Sequence, residues 1–178
     1  MFELHGRDDT SPGAGRGRTA TRDRALAAAE ALVSVENGSG DDYAVVFGPA
    51  GVCIRVFSHE SPMSPYGDDG EQPWPGVLDT VPTVFRPYVD EPAFTDDGMP
   101  RVTACLWRET GDTRRHTGDI AFPDGREDAD GADRLLGLLG EPTPEAFRAW
   151  AEDYYETPVD LDAVRRVYAE AGVPTRAG

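Results

Sequence analysis

Residues 42–57 read DYAVVFGPAGVCIRVF, two runs of β-branched and aromatic residues around Gly48-Pro49-Ala50-Gly51. Val, Ile and Phe suit a pleated, half-buried surface, and glycine supplies the positive φ angles that a tight turn needs. The stretch therefore predicts a β-hairpin. Tyr43, Val45 and Phe47 fall on one face of its outgoing strand, and Val52, Ile54 and Val56 on one face of the return strand. RVTACLWRE (101–109) predicts a third strand and DIAF (119–122) a short fourth, enough for a small antiparallel sheet.

The remainder is helical or loop. Residues 1–18 are rich in Gly, Arg, Ser, Pro and Asp without periodicity and are expected to be a disordered tail. TATRDRALAAAEALVSVE (19–36) predicts a helix with Leu26, Ala29, Leu32 and Val33 on one face, ended by NGSGDD. WPGVLDTVPTVFRPYV predicts a short helical piece starting at Pro75 and interrupted by Pro82 and Pro87. In the C-terminal third, Asp130, Thr143 and Asp160 are placed to cap three helices, with Gly140 and Gly172 as stops. Phe147, Trp150, Ala151 and Tyr154 form an apolar stripe on the second of these; Leu161, Val164, Tyr168 and Ala171 form one on the third. A helix, then strands, then helices implies one α+β domain over 19–174, with about four strands packed against helices from both chain ends.

All 17 basic residues are Arg, set against 33 acids, for a formal charge of −16. Such a surface repels nucleic acid and anionic lipid, so a large partner is expected to be a basic or neutral protein. The charge is uneven: residues 36–100 and 124–162 are strongly acidic, whereas 101–123 are modestly basic. No apolar run is long enough to span a bilayer, and the N-terminus lacks the pattern of a secretory signal, so cytoplasmic residence is expected. Cys53 and Cys105 sit among alternating apolar residues and are expected to be buried free thiols on neighbouring strands.

SPMSPY, PWPGVLD, ACLWRETGD and EDYYE together resemble a group of uncharacterised actinobacterial proteins, over about residues 43–171. The resemblance implies a bacterial, cytoplasmic origin and assigns no site residue.

Chemistry is sparse. There are three histidines, and His59 and His116 could form a metal-assisted or acid–base site with Glu60 only if they converge across the sheet. Ser58-His59-Glu60 holds triad residue types, but as sequence neighbours, which makes no triad. The run REDADGADRLLG has Arg126 and Gly137 where a calcium loop needs acids, and no phosphate-cradling or dinucleotide motif occurs. No cofactor or metal is expected. Arg114 and Arg115 are a candidate anion site, or internal balance for acidic loops. The run SHESPMSPYGDDGEQPWPG (58–76) combines four prolines with the aromatic anchors Tyr66 and Trp74, which suits an ordered, acidic recognition loop. The leading expectation is a non-enzymatic protein-binding domain of inhibitor or immunity type, contacting a basic partner through Asp68, Asp69, Glu71, Trp74, Asp96 and Asp97. The alternatives are the His59/Glu60/His116 hydrolase and a structural or regulatory oligomer subunit.

Overall fold

The computed structural model describes residues 31–67 and 72–172. The expected tail at 1–18 and the first part of the expected N-terminal helix lie outside them.

The predicted hairpin forms as β2 (Asp42–Gly48) and β3 (Gly51–Phe57), with Gly48 opposite Gly51 across the turn. β6 (Ala104–Glu109) pairs with β3, so the third strand is where the sequence places it. Two further strands complete an antiparallel sheet in the order β1-β2-β3-β6-β7. Both correct the sequence-based expectation. β1 (Ala31–Glu36) is the last third of the expected helix, and it pairs with β2 along its whole length. Its Val33-Ser34-Val35 alternation is sheet-compatible, and the open edge of β2 rewards it with a ladder of hydrogen bonds. β7 is His116–Thr117, inside the expected loop, and not DIAF. The chain beyond Thr117 leaves the sheet because Gly118 packs against the Gly76 carbonyl, where a Cβ would lie only 1.8 Å from the oxygen. The two-residue strands β4 (Thr95–Asp96) and β5 (Met99–Pro100) make a separate hairpin whose turn residues, Asp97 and Gly98, both have positive φ.

The sheet with its flanking helices is an α+β arrangement. One face carries Val46, Cys53, Cys105 and Trp107 into the main core, which the 63–89 segment covers with Met63, Val77, Leu78, Val81, Phe85, Tyr88 and Val89. That segment is a chain of turns more than the expected helical piece. Val77, Val81, Phe85 and Tyr88 each donate to the carbonyl three residues back, and only α1 (Arg86–Val89) becomes helical. Pro75, Pro82 and Pro87 offer no N–H, so a continuous helix cannot propagate through them. On the second face Val45, Val56 and Ala104 are buried, while Val33, Val35 and Phe47 stay exposed.

The C-terminal helices are α2 (Ala132–Gly140), α3 (Pro144–Tyr155) and α4 (Leu161–Glu170). Thr143 accepts from the Ala146 N–H and Asp160 from the Asp162 N–H, as their positions predict. Asp130 accepts from Ala132, but the greater share of the α2 cap falls to Asp128, which takes the N–H groups of Asp133 and Arg134. The α3 stripe is only partly core. Ala151 is buried, Phe147 packs on Tyr168 of α4, and Trp150 and Tyr154 stack on each other at the surface. No helix among the described residues is long and apolar enough to cross a membrane.

Candidate functional site

Three turns far apart in sequence meet beyond the β2 start and β3 end of the sheet: Asn37–Asp41, Ser58–Ser61 and Asp128–Arg134. Their common centre is Asp41, 3% exposed. Asn37 shapes the first turn: its Oδ1 accepts from Ser39 and Asp41 N–H groups and its Nδ2 donates to Asp41 Oδ2 at 2.9 Å. The His59 backbone N–H donates to Asp41 Oδ1 at 2.9 Å, and His59 Nδ1 lies 2.8 Å from the same oxygen. Arg134 adds a charged bond to Asp41 Oδ2 at 2.9 Å and reaches Ser58 Oγ at 3.1 Å. Ser61 Oγ ties the second turn to the third by donating to the Ala129 carbonyl at 2.6 Å.

Burial alone would push the Asp41 carboxyl up. The hydrogen bonds from the His59 side chain and backbone, from Arg134 and from Asn37 outweigh it and hold the group at about 2. An ionised carboxylate only accepts, so His59 Nδ1 carries a proton and donates it. That bond orients the ring, which is 40% exposed, and leaves Nε2 on its outer edge. Nε2 lies 3.8 Å from Glu60 Oε1, on a side chain in open solvent. The imidazole is thus held in one orientation by Asp41. Ser58 is buried and accepts from Arg134, which does not make it a nucleophile poised beside His59.

His116 is not part of this cluster. Cys53, Trp107 and His116 stand in register across β3, β6 and β7, whereas His59 lies two residues beyond the end of β3 at Phe57. The strand from Cys53 to Phe57 alone separates the two levels by about 13 Å. His116 instead stacks on Trp107 and pairs with Asp112 at 3.3 Å. No group of three metal-ligating side chains converges among the described residues.

The acidic contact set is divided. Asp68, Asp69 and Glu71 lie outside the described residues. Their flank is ordered: Met63 and Pro65 are fully buried, and Tyr66 meets Phe57 edge-on. Tyr66 Oη donates to Asp96 Oδ2 at 3.1 Å, joining that flank to the β4–β5 hairpin, where Asp96 and Asp97 are exposed. Trp74 is half-buried, packs against the core and donates Nε1–H to the Ala121 carbonyl at 3.0 Å. It is an anchor for the loop more than a contact surface. The hairpin is fastened from below by charge. Buried Asp42 pairs with buried Arg55 and with Arg101, which sits at 2.6 Å from it; Arg55 also lies under the Phe94 ring and donates to the Arg101 carbonyl. Burial and the neighbouring Arg101 push the Arg55 guanidinium down to about 9, still a cation at neutral pH. Arg114 and Arg115 are exposed at the β6–β7 tip and pair with no acid among the described residues.

The sequence pointed to His59, Asp96 and Tyr66 but passed over Asp41, Arg134 and Asn37. Asn37 and Asp41 lie in a run that ends the expected helix, and Arg134 lies in the first turn of another. Set against known proteins, the chain matches no family model, no curated protein and no solved structure.

Proposed function

We propose that the protein is a non-enzymatic, cytoplasmic protein-binding domain of inhibitor or immunity type that recognises a basic partner through its acidic loops. The observation that carries this reading is the Tyr66–Asp96 hydrogen bond. It brings the flank of the Pro-rich acidic loop against the acidic β4–β5 hairpin, so two segments separated in sequence can offer one negatively charged surface. Both are held by buried anchors, Met63 and Pro65 on one side and the Asp42–Arg55–Arg101 cluster on the other. The flank and the hairpin, held in this way before binding, lose little entropy on association, and the negative field raises the encounter rate with a cation-rich partner. The test is recovery of partners from the native host on immobilised protein, followed by a salt series. A basic protein released as salt rises supports the reading; a neutral protein held equally well in high salt overturns it.

A second reading, acid–base catalysis, is favoured by the Asp41–His59 geometry alone. It no longer includes His116 and rests on His59 with Glu60 nearby. Screening ester and phosphoester substrates with the wild type and His59→Ala tests it: turnover lost in the variant supports it, and no turnover in either removes it.

A further inference from the structure

The first strand of the sheet presents an edge of unusual composition. Among the described residues β1 pairs with β2 alone. Edge strands of monomeric proteins are commonly guarded by charges, prolines or bulges. Ala31–Val35 reads ALVSV and holds none of these; its first charge is Glu36, the last residue of the strand. Val33 is 47% exposed and Val35 39%, on the same sheet face as Phe47, 41% exposed, on the next strand.

We propose that β1 is the interface of a homodimer, in which two copies pair antiparallel through this edge and join their sheets. The occupant follows from charge. Two copies of a −16 chain repel each other over most of their surface, and an uncharged five-residue run is where such copies can come together. It follows also from register. Paired about Ser34, Val33 of each copy faces Val35 of the partner subunit, and Glu36 faces an apolar Leu32 in place of another acid. The two Glu36 residues then stand about 13 Å apart along the strands, beyond the screening length at physiological salt. The exposed valines and Phe47 of the two copies merge into one apolar face, as a two-fold interface requires.

Light scattering on the full chain over a concentration series decides the matter. The expected mass is twice 19.2 kDa. Val33→Asp/Val35→Asp and Val33→Arg/Val35→Arg place like charges opposite each other, so each variant alone is expected at the monomer mass. Mixing the two is expected to restore the dimer, because the charges then complement. The side chains are exposed, and an unchanged near-ultraviolet dichroism spectrum checks the fold; Arg, with its long stem, serves if the Asp variant fails to fold. A wild-type chain that stays monomeric up to about 100 µM overturns the proposal, since β1 is then covered by the chain's own N-terminal residues or is not used. A dimer that persists in both variants overturns it as well, because the interface then lies elsewhere.

Discussion

Asp41 shows how much one residue can organise. Its carboxyl is depressed from 3.8 to about 2 despite burial. For an acid lowered in the folded state, the stabilisation is complete above the unfolded value and disappears as pH falls through the folded one. The relevant window is therefore about pH 4 down to pH 2, and the shift corresponds to about 2 kcal/mol. Asp41→Asn is expected to lower the urea midpoint at pH 7, with the gap to wild type narrowing across that window; a gap independent of pH contradicts the assignment. The thiols give a second prediction at this scale. Cys53 and Cys105 are free and buried, 2% and 0% exposed, and the hydrogen bond to Cys53 together with burial pushes the Cys105 thiol well up. Neither is expected to react with a thiol-specific chromophore until the protein is unfolded. The alternating apolar pattern made the buried thiols legible in the sequence. Asp41 was not, because its partners His59 and Arg134 lie 18 and 93 residues away and nothing local marks them.

Among elements, those with local chemistry were the ones that could be read. The β2–β3 hairpin carries its turn in its own residues, and Thr143 and Asp160 bond to N–H groups two or three residues on. β1 and β7 could not be read in this way, since each exists by virtue of a neighbouring strand. The sequence read Ala31–Glu36 as the end of a helix, and over those residues the ladder to β2 decides for a strand. The segment after β3 was legible as a loop but not as core, although its Met63 is completely buried. Gly131 tests how closely these elements fit. It caps α2 at φ 75°, and a Cβ there would lie 2.5 Å from Ser58 Cβ. Gly131→Ala combines left-handed strain with a clash in the Asp41 cluster and is expected to cost about 2–3 kcal/mol, read as a lower denaturant midpoint. Gly137→Ala is the control: nothing lies within 4 Å of its Cβ position, and alanine favours a helix interior. It is expected to leave stability unchanged or raise it.

At the scale of the whole molecule, composition announced the acidity and the structure arranges it. The Tyr66–Asp96 bond brings the loop flank to the hairpin, while the Asp42–Arg55–Arg101 cluster holds the hairpin to the sheet. If this surface recognises a basic protein, its charges act mainly on encounter and its shape on retention. The two contributions separate by substitution. Asp96→Asn/Asp97→Asn removes charge from the exposed hairpin and is expected to slow association with the recovered partner several-fold at low salt, with little effect once salt screens the field. Tyr66→Phe keeps every charge but releases Asp96 from its anchor, so its expected effect is faster dissociation at all salt concentrations. Stopped-flow association and surface-bound dissociation, measured at two ionic strengths, distinguish the two variants. Identical behaviour of both would mean that the joined acidic segments do not act as one surface.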